Sequence, residues 1–386
     1  MSKLKVTTIS DPDNDNTALT IDSSGNVTAS QGFIPSTQLS HRNLIINGAM
    51  NVAQRGTSWT NQAGTRYNLD RWTNQENGSA VFSISQENSN APDGFKYFHR
   101  VTVTTADAST DSGDFTCVKQ VIETGNLHHL DWGTSNAKAI TLSFWVRSSS
   151  AGTFTVAFYH QGTTSYSYAA AYTINTADTW EYKTITIPGN TTQAHDNSDT
   201  DAGLQIRFAL SAGSTRAQST GSWATGNYFA GTGQTQLTET VNSTFDLTGV
   251  QLEVGSVATP FEHRSYGEEL ARCQRYYQQF GIDGDAQVLP FSGQCTSSST
   301  VYFMGQTYVP MRTQPSGSSI NPSNFRVRNA GNSGIPSISS LNVSAYSETS
   351  FVAVAEGASG LTAGHSSALF NYNGSNYGWI ELDAEL

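Results

Sequence analysis

Apolar and polar residues alternate with a period of two along much of this chain. Ile140, Leu142, Phe144 and Val146 fall on one side of a strand whose other side carries Thr141, Ser143, Trp145 and Arg147. Phe154, Val156 and Phe158 repeat the pattern after a turn at Gly152. Tyr182, Thr184 and Thr186 alternate with Lys183, Ile185 and Ile187 up to a Pro188-Gly189 stop, and Leu204, Ile206, Phe208 and Leu210 alternate with Gln205 and Arg207. Many short strands separated by polar turns predict one antiparallel sandwich or barrel over residues 41–263.

Residues 246–277, DLTGVQLEVGSVATPFEHRSYGEELARCQRYY, close that body and open the next. Thr248, Val250, Leu252 and Val254 alternate with Gln251 and Glu253, the pattern of a strand with one buried face. Gly249 falls where the apolar parity slips from Phe245 and Leu247 to Val250, which predicts a bulge. Ser265 and Glu268 make a capping box, and Leu270, Cys273, Tyr277 and Phe280 recur at helical spacing. The prediction is a linker helix over 265–280, within a connecting segment 264–281. A helix this short is marginal in water and needs a partner for its apolar stripe.

Residues 282–386 predict a second, smaller all-β sandwich. Its strand candidates lie at 301–304, 307–311, 325–327, 338–343, 351–355 and 368–372, with a last run from Trp379 to Leu386. Residues 1–40 are polar and acidic, with brief strand patterns at 18–21 and 27–29 and too little apolar content for a core.

Charge narrows the function classes. Only 13% of the 386 residues are charged and the formal net charge is −11. Such a chain offers no basic footprint for nucleic acid and no attraction to an anionic membrane. Cys117, Cys273 and Cys295 do not make a disulfide framework and read as three free thiols. No apolar run approaches the ~20 residues of a membrane span, and MSKLKVTTIS lacks the apolar core of a signal peptide. The expectation is synthesis in the cytoplasm without membrane insertion.

Candidate chemistry is sparse. No GxSxG, HExxH or phosphate-loop pattern occurs, and Asp70, Glu181, Asp196 and Glu253 sit in no recognisable hydrolytic pair. A non-enzymatic protein is the expectation. The densest set of oxygen ligands is the loop His195–Asp201, where Asp196, Asp199 and Asp201 are candidate calcium ligands. That loop lacks the glycine and the distal glutamate of an EF-hand, so a solvated turn is the competing reading. Aromatic residues offer a further lead, because flat rings stack on sugar faces while Asn, Gln and Asp hydrogen-bond hydroxyls. Tyr166 and Tyr168 share a strand face, Trp223 lies in a polar loop, and Tyr372, Asn373, Tyr377 and Trp379 crowd the final hairpin. Most aromatics in β proteins are core, which is the competing reading for each group.

The runs NLIINGAMNVAQRG, YNLDRW, TGVQLEVG, ATPFEHRSYGEELARCQRYYQ and VPMRTQPS resemble motifs of tail-fibre and other virion adhesion proteins of tailed bacteriophages. The order of pieces in residues 41–263 is similar to that of jelly-roll carbohydrate-binding modules. The resemblance implies an all-β trimer: an N-terminal arm (1–40) docking on phage tail or capsid proteins, a jelly-roll body, a linker helix, and a receptor-binding tip (282–386). It implies a virion protein that attaches the particle to host-surface glycans. A capsid-decorating or head-fibre protein and a polysaccharide depolymerase are the alternatives. By the same resemblance, Asn47 and Asp246 lie near the place where jelly-roll sugar-binding modules hold a structural calcium.

Overall fold

The computed structural model describes residues 8–10, 17–21, 23, 27–29, 41–281, 288–330, 334–373 and 376–386, with the backbone alone for 9–10, 17–19, 27–29 and 372–373. The chain divides into two units, 1–42 and 43–386. In the first, Thr8–Ser10, Thr17–Ile21 and Val27–Ala29 pair as an antiparallel meander. The strands expected at 18–21 and 27–29 are present, and Thr8–Ser10 adds a third.

The second unit contains two large hydrophobic cores, and among the described residues a smaller cluster of Phe115, Cys117, Ala209, Ala212, Phe229 and Ala230 as well. The first lies inside a jelly-roll sandwich. One sheet runs in the order Glu181–Ile187, Ile140–Ser148, Thr244–Val254, Phe98–Thr105, Val81–Glu87, Ser58–Gln62. The other runs Trp223–Thr225, Tyr166–Ile174, Gly152–His160, Ala202–Ala212, Phe115–Glu123, Thr73–Asn77, Arg66–Tyr67. Ile140, Leu142, Phe144 and Val146 face Phe154, Val156, Phe158, Leu204, Ile206 and Phe208 in a common core, all fully buried. Phe144 meets Phe208 edge-on at 5.0 Å between centroids.

The strand Thr244–Val254 departs from expectation, because both of its faces are covered from Phe245 to Glu253. The cause is the segment that follows it, which folds back over the outer face. Gln251 Nε2 donates to the Thr259 carbonyl at 3.2 Å, the Thr259 N–H and hydroxyl donate to Glu253 at 2.8 and 2.7 Å, and the Glu262 N–H donates to Gln251 at 2.8 Å. Gln251 and Glu253 are therefore buried and satisfied rather than solvated. The predicted bulge is there. Ser143 pairs with Gln251 but Trp145 pairs with Thr248, and Gly249 takes φ 61° in between.

The second core is also a sandwich. A six-stranded sheet, Arg326–Asn329, Ser366–Phe370, Ser292–Cys295, Thr300–Gln306, Ser350–Glu356, Ser340–Ala345, packs with a three-stranded one, Tyr277–Phe280, Trp379–Asp383, Ser316–Ile320. Residues 307–311, expected as a strand, form none.

The linker helix is shorter than predicted. It spans Tyr266–Gln274, with the Ser265 hydroxyl accepting from the Glu268 N–H at 3.3 Å as the capping box requires. Tyr277–Phe280 is instead a strand, paired through all four residues with Ile380–Asp383. Backbone pairing with a strand a hundred residues further on overrides the local helical spacing.

The resemblance motifs converge where the two sandwiches meet, around a buried polar network. Arg71 pairs with Glu385, donates to the Val121 carbonyl at 2.5 Å and lies 3.4 Å over the Tyr276 ring. Arg55 reaches Asp383 at 3.1 Å and Glu385 at 3.3 Å, and stacks 3.6 Å over Tyr277. Arg275 binds Glu123 through two hydrogen bonds of 2.9 and 2.8 Å. Arg312 donates to the Ala384 and Glu385 carbonyls at 2.7 and 3.0 Å. Burial pushes the Glu385 carboxyl above its ordinary range, against the pull of Arg71 and Arg55. The motifs thus build a joint.

Candidate functional site

The Gly249 bulge sets the floor of an open cleft on the outer face of the six-stranded jelly-roll sheet. A side chain at 249 would bring its Cβ within 2.7 Å of Phe95 Cζ and 3.0 Å of Trp145 Cδ1, so only glycine lets these rings close in. Trp145 projects from the solvent side of its strand, and Tyr182 lies directly opposite it on the neighbouring strand. Their ring centroids are 5.4 Å apart, and Tyr182 is 47% exposed. On the other side, Phe95 follows the Asp93-Gly94 turn, and Phe261 and His263 come from the fold-back segment. Phe95 meets Phe261 at 5.0 Å and His263 at 5.5 Å, and Phe261 meets His263 at 4.9 Å.

The cleft encloses about 420 Å³ and adds Asp93, Ser143 and Pro260 to these rings. That volume is in the range of small-ligand sites. Flat apolar faces on two walls, with the Asp93 carboxylate, the Ser143 hydroxyl and the His263 imidazole among the lining groups, can stack a sugar ring and bond its hydroxyls. None of these residues was singled out as a site in the sequence. A signal existed: Trp145 and Tyr182 are large aromatics on the polar side of alternating strands. What hid the cleft is that its second wall comes from two distant loops.

The structure distributes the sequence candidates over several places. Tyr168 is buried and Tyr166 half-buried. Trp223 pairs across from Tyr168 with 5.5 Å between rings, donates from its indole N–H to the Pro188 carbonyl at 2.9 Å, and meets Trp132 edge-on at 5.3 Å. Trp132 also stacks on His195 at 5.2 Å, and His195 lies 4.4 Å from His160. This is a packed aromatic cluster at one end of the sandwich. Loss of solvation holds His160 down at about 4 and His195 at about 3, so both imidazoles are neutral at pH 7.

In the final hairpin, Tyr372 pairs with Tyr377 and Asn373 with Asn376 along the backbone. The side chains of Tyr372 and Asn373, and residues 374–375, lie outside the described residues. Tyr377 and Trp379 are half-buried, and the Trp379 indole donates to Glu381 at 2.8 Å.

The candidate calcium ligands are likewise separated. Asp196 accepts from the Thr163 hydroxyl and N–H at 2.6 and 3.0 Å and from Gln193 at 2.8 Å, led by the hydroxyl in holding its carboxyl below the ordinary range. Asp199 is exposed and pairs with His128 at 2.7 Å, and Asp201 is exposed. Asp246 is fully buried between Arg100 (2.7 and 2.8 Å) and Arg147 (2.8 Å). The Asn47 carboxamide donates to the Val52 and Asp70 carbonyls and accepts from the Val52 N–H. Among the described residues, no three His, Cys, Asp or Glu side chains converge as a metal site. The three cysteines are free and buried.

The chain matches no family model and no curated protein. Among solved structures it is similar to the enzymatically active domain of bacteriophage CBA120 tailspike protein 4, at 13% identity and a TM-score of 0.32, over 55% of this chain and 21% of that one. It is also similar to a family 11 carbohydrate-binding module from Clostridium thermocellum, at 13% identity and a TM-score of 0.26, over 53% of this chain and 99% of the module. The CBM22-1–CBM22-2 tandem domain of Paenibacillus barcinonensis Xyn10C is 9% identical, with a TM-score of 0.28, over 91% and 99% of the two chains. The chain spans about a fifth of the tailspike structure's length. Likenesses this distant carry no functional argument. Among the described residues, no helix is long and apolar enough to cross a membrane.

Proposed function

We propose that this chain is a non-enzymatic glycan-binding protein of a tailed-phage virion, a fibre-type component that attaches the particle to the host surface. The observation that carries the reading is the cleft walled by Trp145 and Tyr182 on one side and Phe95, Phe261 and His263 on the other. Five rings brought into one open groove are the chemistry of a sugar platform, and the half-exposed Tyr182 is not needed to fill a core. The motif resemblance supports the virion setting, with residues 1–40 as the arm that docks on tail or capsid proteins and three copies per fibre. Multivalent display then gives avidity to a shallow single site.

The test is binding of full-length protein to an array of bacterial-surface polysaccharides, repeated with Trp145→Ala and Tyr182→Ala. Stacking aromatics of this kind are hot-spot residues worth about 2 kcal/mol, so each variant should weaken capture at least ten-fold while keeping its thermal midpoint. Capture that is unchanged in both variants overturns the assignment of the site. Reducing ends released from a captured polysaccharide overturn the non-enzymatic reading.

A further inference from the structure

We propose that the second sandwich carries an independent binding site for neutral glycans, built on Tyr308 and Tyr346. It rests on glycan binding as the function of the chain. A cleft of about 780 Å³ opens beside the six-stranded sheet, between Tyr308, Tyr346 and Met304. All three are exposed, at 55%, 70% and 75%, although each would ordinarily be covered.

The Tyr308 ring is held in place rather than merely exposed. Tyr308 stacks on the buried Phe280 ring at 4.7 Å and 26°, which fixes its plane and leaves its outer face open. Its N–H donates to Gln278 Oε1 at 2.7 Å, and Gln278 Nε2 donates to the Val309 carbonyl at 2.9 Å, so a fully buried glutamine clamps the loop on both sides of the ring. The Tyr346 N–H donates to the Ser350 carbonyl at 3.1 Å, anchoring the backbone that carries the second ring to the start of its hairpin strand. The floor is set by Gly305, where a Cβ would come within 2.2 Å of the Phe351 ring. Absence of a side chain there lets Phe351 lie directly beneath the opening.

Rigid aromatic planes cost little entropy on binding, and Gln306, Thr307, Ser292 and Ser350 put amide and hydroxyl groups at the rim. Among the described residues, no charged side chain lines the cleft. In a chain of net charge −11, this uncharged pocket discriminates against no neutral ligand and offers an acidic one no counter-charge. The occupant that fits is a run of uncharged pyranose rings, stacked on Tyr308 and Tyr346 and bonded through hydroxyls. Two sites on one unit make capture of a long polysaccharide bivalent.

The experiment measures full-length protein on an array of neutral and acidic glycans, alone and as Tyr308→Ala/Tyr346→Ala and Trp145→Ala/Tyr182→Ala. Both tyrosines are exposed, so the first variant should keep its thermal midpoint, and sedimentation velocity should find the same assembly as the parent. At least one neutral glycan should be captured ten-fold more weakly by the Tyr308/Tyr346 variant, with equal loss in 50 mM and 500 mM salt. If capture depends on Trp145 and Tyr182 alone, the second site falls and the first stands. If no glycan is captured by any form, both fall. If the Tyr308/Tyr346 variant instead separates assembled copies, the patch is a contact between chains and the proposal is overturned.

Discussion

The joint between the sandwiches makes a quantitative demand on Arg71 and Glu385. Their side chains are 1% and 3% exposed, so each charge depends on the other for solvation. Removing one partner of such a pair costs about 3–5 kcal/mol, mostly the penalty of the charge left behind. The two single variants are not equivalent. In Arg71→Ala, Glu385 keeps Arg55 at 3.3 Å, which places the loss near 3 kcal/mol. In Glu385→Ala, Arg71 keeps only the Val121 carbonyl and the Tyr276 ring, which places the loss near 5 kcal/mol. Arg55→Ala removes the 3.3 Å contact to Glu385, a contact to the 43% exposed Asp383 and a ring stack, but leaves Glu385 its Arg71 partner, for about 2 kcal/mol. The double variant Arg71→Met/Glu385→Leu removes both of these buried charges, leaves Arg55 its Asp383 contact, and should recover most of the loss. Urea unfolding at pH 7 reads the order directly, since a constant slope with a falling midpoint reports stability alone. If Glu385→Ala costs no more than Arg55→Ala, or if the apolar pair is worse than either single change, the joint is not held by this ion pair.

Acid should destabilise the protein well above the carboxylate range. His99, His160 and His195 are held at about 3, 4 and 3 by lost solvation, against 6.5 unfolded. Below pH 6.5 the unfolded chain takes up protons that the folded one refuses. Stability therefore falls as pH drops from 6.5 towards 4, by up to about 1.4 kcal/mol per histidine per pH unit. Equal urea midpoints at pH 7.5 and 5.5 refute this. Gly249→Val should abolish capture at the Trp145 cleft and cost about 1–2 kcal/mol, because φ is 61° there; titration and urea unfolding read the two effects separately. Calcium or EDTA should leave the urea midpoint unmoved by way of Asp246 and Asn47, whose polar atoms already hold protein partners. A calcium-dependent rise that Asp199→Asn removes would place an ion in the acidic loop instead.

Both sandwiches were legible in the sequence because a core face writes itself as alternation. Ile140 to Val146 and Leu204 to Leu210 mark their core face outright, although Thr141, Ser143, Gln205 and Arg207 on the other side are buried as well, and Gly249 marks its bulge by a slip in parity. What was not legible depended on partners far along the chain. Tyr277 and Phe280 satisfy a helical period, yet Trp379–Asp383 recruits them as a strand. Gln251 and Glu253 look solvated until Thr259 and Glu262 fold over them. Trp145 announced itself on a polar face, but Phe95 and Phe261 had to be brought from separate loops before a cleft existed. The arginines of the joint stand in the motifs, but their acids Glu123, Asp383 and Glu385 lie outside them, and nothing local says that Arg71 is answered by Glu385.

The place of Trp379–Asp383 in its sheet also fixes an order of events during synthesis. It is the central strand of three, between Tyr277–Phe280 and Ser316–Ile320, and both neighbours leave the ribosome long before it does. Neither can complete its ladder until the middle strand arrives, whereas every strand of the jelly roll has already been made. The nascent chain thus passes through a stage with a finished first sandwich, two waiting edges and Arg71 still without its counter-ion. Final docking closes a contact across 314 residues, the kind of late, long-range step that sets a slow folding rate.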